Sequence, residues 1–136
     1  MIVLDSSVVI ARLTPDRRAD FVRALLEPKV GTFNAPQLLA FEVIHVLSRK
    51  YRQGDITGAE LSRALEGFED HLIELAPRPD AGALHRIAML ADAQKLSGYD
   101  ASYLELALRL GAELATLDAD LAEAGRRCGV AVHHTP

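Results

Sequence analysis

Ile2-Val3-Leu4-Asp5-Ser6-Ser7 opens the chain with three aliphatic residues, one carboxylate and two hydroxyls. A short aliphatic run reads as a buried strand, and serines just after it suit a helix start, where a hydroxyl satisfies a free backbone N–H. The segment therefore predicts strand, turn and helix, with Ser6 or Ser7 capping a helix through Leu13. The same passage from apolar run to acid recurs at Leu114-Ala115-Thr116-Leu117-Asp118. Elsewhere, short apolar runs alternate with longer segments of helical period, the pattern of βαβ units around a parallel sheet. Ligands of an open α/β sheet gather at the carboxyl ends of its strands, where both acids stand.

Working outward, Thr14-Pro15-Asp16 predicts the start of a second helix running to about Glu27, since Pro tolerates a first helical position. Lys29 to Phe33 reads as a second strand, broken by Asn34-Ala35-Pro36. The next helix carries Leu38, Leu39, Phe41, Val43, Ile44, Val46 and Leu47, apolar around much of its circumference, so it is expected to be largely buried. Arg49-Lys50-Tyr51-Arg52 and Gly54 suit its end. Thr57 and Glu60 have the spacing of a capping box for a helix toward Asp70. A strand over His71 to Leu75, helices from Asp80 to Leu96 and from Asp100 to Leu110, and a strand over Glu113 to Leu117 follow. A helix from Asp120 to Arg127 and a strand over Val130 to Val132 complete one compact unit, residues 1–136.

With 136 residues, 49% hydrophobic and 25% charged, the chain has the length and composition of one globular domain with its own core. The single cysteine, Cys128, excludes an internal disulfide and a thiolate zinc cluster, and suits a reducing cytosol. Neither a signal peptide nor a membrane span is expected. Aromatics are only 5% with no Trp, so base-stacking platforms are not evident. The net charge of −4 counts against a dedicated nucleic-acid binder, although an acid-lined cation pocket would account for it locally.

Four acids are candidates for such a pocket: Asp5, Glu42, Asp100 and Asp118. Asp5 is either a helix cap or a ligand. Glu42 interrupts an apolar run, where a charge is costly unless it is paired, bound to metal or on an exposed stripe. Glu42 and His45 form the Glu-x-x-His pair of di-iron bundles, but the chain offers no second pair. His45 accordingly reads as a supporting or core residue. His133-His134 reads as a solvated tail, and Arg49-Lys50-Arg52 as a solvated helix end that could also meet phosphates. Carboxylates gathered at one place repel, and a hard divalent cation resolves the repulsion and points to phosphate chemistry. A phosphoacceptor receiver domain is disfavoured, because Asp5 stands alone after the first strand and His133, not Lys, follows the last.

With these residues in view, the chain resembles the PIN-domain family, specifically the small VapC-type toxins of toxin–antitoxin pairs. The likeness is carried by Val3-Leu4-Asp5-Ser6-Ser7, Ala35-Pro36 with Phe41-Glu42-Val43, Gly98-Tyr99-Asp100-Ala101-Ser102-Tyr103-Leu104-Glu105-Leu106-Ala107, and Leu114-Ala115-Thr116-Leu117-Asp118. It covers essentially the whole length. It implies a three-layer α/β/α sandwich with a mainly parallel sheet, and a Mg2+- or Mn2+-dependent endoribonuclease with the acidic quartet Asp5, Glu42, Asp100 and Asp118. Ser6 and Thr116 match supporting hydroxyl positions, and Asp120 is an alternative or aid to Asp118. A homodimer, an RNA substrate and a small neutralising antitoxin are also implied, with Phe21, Leu25, Leu26, Leu61 and Leu65 as candidates for the antitoxin groove. The competing class is a catalytically silent PIN-like module that binds RNA or a protein without cleavage.

Overall fold

The computed structural model describes residues 1–27, 32–69 and 73–136. In chain order the elements are β1 (Ile2–Leu4), α1 (Ser6–Leu13), α2 (Ala19–Leu26), β2 (Phe33–Ala35), α3 (Leu38–Arg52) and α4 (Gly58–Glu69). They continue with β3 (Ile73–Leu75), α5 (Ala81–Gln94), α6 (Gly98–Leu110), β4 (Glu113–Ala115), α7 (Ala119–Arg127) and β5 (Val132–His133). The strands pair in the order β3-β2-β1-β4-β5, every pair parallel.

This order explains the layers. The sheet grows from β1 through β2 to β3 in one direction, then returns to the other side of β1 for β4 and β5. Right-handed crossovers put the connecting helices on one face during the first run and on the opposite face after the reversal. The helices divide accordingly: α1 packs on α2, α3 and α4, whereas α6 packs on α5 and α7. The result is a three-layer α/β/α sandwich. Its reversal point lies between β1 and β4, where a crevice opens at the carboxyl ends of the strands.

The core fills both sides of the sheet, with Val3, Leu4, Val8, Leu39, Val43, Leu47, Leu104, Leu114 and Leu121 essentially inaccessible. Burying side chains of this kind contributes roughly 1.5–3 kcal/mol each before entropy is counted. Gly125 lets α7 lie directly on the sheet, since a Cβ there would come within 2.9 Å of Val132 Cγ2 and 3.3 Å of Leu114 Cδ2. The capping box forms as read, Thr57 N donating to Glu60 Oε1 at 3.0 Å and Glu60 N to Thr57 Oγ1 at 3.1 Å.

Several expectations are corrected. Ser6 and Ser7 lie inside α1, and Asp5 is its N-cap residue without a side-chain capping bond. α2 starts at Ala19, not at Thr14, because Asp16 accepts from Arg18's backbone N–H (2.8 Å) and guanidinium (2.9 and 3.1 Å), closing a local turn instead. Asn34 and Ala35, read as a strand break, are themselves in β2. Residues 29–31 and 71–72 of the two expected strands, with Asp70, lie outside the described residues. β4 ends at Ala115, and β5 is Val132–His133 rather than Val130 to Val132. α3 is not largely buried: only Leu39, Val43 and Leu47 are, a single i, i+4, i+8 stripe, while Phe41 (74% exposed) and Ile44 (44%) face outward. Leu25 is buried, and Phe21, Leu26, Leu61 and Leu65 are partly buried against the core.

Candidate functional site

Asp5 directly follows β1 and is 3% exposed. Its Oδ2 accepts from Thr116 Oγ1 at 2.8 Å and from Ser7 Oγ. Both hydroxyls are themselves engaged by the loop after β4: Leu117 N donates to Ser7 Oγ at 2.9 Å, and Asp118 N to Thr116 Oγ1 at 3.0 Å. Two adjacent backbone donors thus reach one carboxylate oxygen through two relaying hydroxyls. This locks the ends of β1 and β4 together across the sheet's reversal point. Burial raises the Asp5 pKa, and these hydrogen bonds oppose the rise.

Glu42 sits one turn inside α3 and is half-buried. Ser6 Oγ donates to its Oε2 at 2.8 Å, and the buried Tyr103 hydroxyl to its Oε1 at 3.2 Å. Burial pushes its pKa up; the Ser6 bond opposes this, and the nearby Asp5 charge adds to it. A contrast is supplied by Glu105, which is 2% exposed and held by Arg86 at 3.1 Å and Arg109 at 3.0 Å. Glu105 is a charge neutralised by arginines, as structural buried carboxylates usually are. Glu42 has no cationic partner among the described residues and is held by hydroxyls instead.

Asp100 is the third residue of α6, whose N-cap Ser97 accepts from Asp100 N at 3.0 Å. Its pKa is raised to about 6, first by burial and then by the charges of Asp5, Asp118 and Glu42. The four acids therefore share one electrostatic field although they come from β1, α3, α6 and the β4–α7 turn. Asp118 is exposed and caps α7, its Oδ1 accepting from Leu121 N at 2.8 Å. Asp120 is exposed in the first turn of α7. His45 is exposed on α3, not a core residue. The two histidines are less free than a tail: His133 pairs with Glu113, and His134 Nδ1 lies 3.1 Å from the Thr116 carbonyl.

As the side chains stand, no three His, Cys, Asp or Glu among the described residues are close enough to hold an ion. The donor chemistry nonetheless suits a hard cation, being all carboxylate and hydroxyl oxygen. Two contributors were not singled out from the sequence. Ser7 was read only as a possible cap, and Tyr103 only as part of a motif. A phenol three residues after Asp100, hence on nearly the same side of the helix, was the available signal for Tyr103.

The PIN domain family model matches residues 2–127. The chain belongs to the PIN-domain family. This PIN domain is 30% identical over 122 residues to Ribonuclease VapC3 of Pyrobaculum aerophilum, covering 90% of this chain and 92% of that protein. It is 31% identical over 133 residues to Ribonuclease VapC9 of Mycobacterium tuberculosis, covering 97% and 98%. Its fold also matches the crystal structure of the M. tuberculosis sarcin-ricin loop cleaving toxin VapC20, with a TM-score of 0.70 over 92% of this chain and 95% of that one. At 16% identity, that match speaks to the fold alone. Among the described residues, no helix of the PIN domain is long and apolar enough to cross a membrane.

Proposed function

We propose that this PIN domain is a metal-dependent endoribonuclease, the toxin of a toxin–antitoxin pair. The observation that carries the reading is Asp100, whose pKa is raised to about 6 first by burial and then by the charges of three other acids drawn from distant parts of the chain. A structure does not gather uncompensated carboxylates for stability, so the repulsion points to a cation as the missing charge. Asp5, Asp100 and Asp118 would hold Mg2+ or Mn2+, with Asp120 replacing or assisting Asp118. When bound, such an ion acidifies water and offsets charge developing on a phosphate. Glu42, fixed by Ser6 and Tyr103, would bind a second ion or orient the water that attacks the RNA phosphodiester. Thr116 and Ser6 hold Asp5 and Glu42, respectively, in place.

The names of the VapC3 and VapC9 relatives support RNA as the substrate. The toxin relationship implies a small antitoxin and a cytoplasmic setting. Met89 (52% exposed) and Leu108 (41%) line a groove of about 540 Å³ between α5 and α6, which supports burial against a second copy as a homodimer. The deciding experiment is RNA cleavage with and without EDTA, using the chain purified free of its antitoxin. Cleavage abolished by chelator, restored by Mg2+ or Mn2+ and absent in Asp100→Asn is expected. Chelator-resistant cleavage or an active Asp100→Asn overturns the metal scheme.

A further inference from the structure

We infer that Tyr103 is a positioning residue for the Glu42 carboxylate, and that its hydroxyl, more than its ring, is what α6 contributes there. The inference rests on the ribonuclease reading above. Tyr103 is wholly buried, and a phenylalanine would fill the same space. A buried phenol therefore needs a reason and an acceptor. Its acceptor is not a nearby backbone carbonyl but Glu42 Oε1 at 3.2 Å, on a helix 61 residues earlier in the chain.

The opposite oxygen, Oε2, takes Ser6 Oγ at 2.8 Å. Each glutamate oxygen thus has one hydroxyl donor, one from α1 and one from α6. A glutamate side chain has several rotatable bonds, and a single hydrogen bond leaves it free to swing about that contact. Two donors on opposite oxygens fix the plane of the carboxylate and so the direction of its remaining lone pairs. Bonds to an ionised acceptor are the stronger kind, which suits a device for holding geometry. Among the described residues Glu42 has no cationic partner, so its charge stays available to the site.

Tyr103→Phe removes one oxygen atom and keeps the ring. On a short single-stranded RNA with saturating Mn2+, kcat is expected to fall roughly 10- to 100-fold while KM stays within about twofold, the loss usual for a partner that orients a ligand. Calorimetric titration of Mn2+ into the chain, without RNA, should show affinity lower by about tenfold. Thermal melting should move only slightly. Leu104→Ala, next along the same helix, serves as control: it should lower the melting temperature while leaving kcat per folded molecule and Mn2+ affinity unchanged. Wild-type kcat and wild-type Mn2+ affinity in folded Tyr103→Phe would overturn the proposal, as would equal losses of both in Leu104→Ala. If Glu42→Gln cleaves at the wild-type rate, the catalytic reading of Glu42 fails instead, and the Mn2+ titration of Tyr103→Phe still decides the clamp.

Discussion

Asp100→Asn should make the metal-free protein more stable while destroying its activity. The Asp100 carboxyl has a pKa of about 6 in the fold against 3.8 in the unfolded chain. The native state therefore binds the extra proton between those values, and the contribution of this group to stability falls as pH rises through that window. Above about pH 6 the penalty is fully present. A shift of that size corresponds to about 3 kcal/mol at 1.36 kcal/mol per unit. Asp100 is only half-buried, and solvent screening reduces this to roughly 1–1.5 kcal/mol. Asparagine keeps the shape and removes the charge, so in chelator at pH 7.5 the variant should melt about 3–6 °C above the wild type. At pH 4 the two should melt together. Adding Mn2+ should close or reverse the gap at pH 7.5, because only the wild type gains full binding free energy. Melting curves at several pH values, with and without Mn2+, test each part. A variant less stable than wild type at pH 7.5 in chelator, or a gap independent of pH, refutes the reasoning.

Thr116→Val removes the hydroxyl that relays Asp118 N–H to Asp5, leaving a buried carboxylate oxygen short of one donor. Denaturant unfolding should show a loss of about 1–3 kcal/mol, with cleavage reduced as well; an unchanged midpoint would mean the relay is dispensable. Gly125→Ala inserts a methyl within 2.9 Å of Val132 Cγ2 and should cost roughly 1–3 kcal/mol by pushing α7 off the sheet, read as a lower melting temperature at unchanged specific activity. Phe41→Ser, at a side chain 74% exposed, should change stability by less than about 0.5 kcal/mol in the isolated chain. A larger loss on melting would show that Phe41 is covered in solution.

β1 and β4 were legible because each lies in a short aliphatic run that leads to an acid, and their shortness separates them from the helices. The strand order was not, since three-residue strands carry no pairing signal; it follows only once β4 is seen on the far side of β1. Phe41 and Ile44 misled for a definite reason. Counting apolar residues makes α3 seem buried all round, whereas the i, i+4, i+8 series Leu39, Val43 and Leu47 already marks the one stripe that meets the core. Asp16 shows local chemistry defeating a propensity rule, its carboxylate preferring Arg18 to a helix start. Among the site residues, Asp5 and Asp118 stood out as charges after apolar runs and Glu42 as a charge within one, whereas Asp100 alone is an unremarkable helix-start aspartate. Ser7 and Tyr103 did not, because a serine in a first helical turn and a tyrosine on an apolar helix are unremarkable until their partners, 110 and 61 residues away, are known.

The four acids are held with unequal firmness, and the order has a consequence. Asp5 is buried and fixed by two hydroxyls, and Glu42 is half-buried and clamped at both oxygens. Asp100 is half-buried, and Asp118 is exposed with one oxygen spent on a helix cap. Asp118 is the exposed member, and Glu42 and Asp100 are buried to a similar degree, so hydrogen bonding rather than depth separates the firm pair from the looser one. A cation arriving from solvent would meet the exposed Asp118 first, and ordering the loose acids around the fixed ones would leave the core undisturbed. Burial and then repulsion raise the Asp100 pKa, and the repulsive part is a cost carried only by the empty site, so its relief adds to the affinity for the ion. This predicts an asymmetry between variants. Neutralising Asp118, the exposed acid, should weaken Mn2+ binding while leaving the metal-free melting temperature nearly unchanged. Neutralising Asp5 should weaken binding and also loosen the β1–β4 junction, lowering that temperature by several degrees because its buried hydroxyl donors lose a charged acceptor. If both variants melt alike in chelator, the firm and loose halves of the site are not distinct.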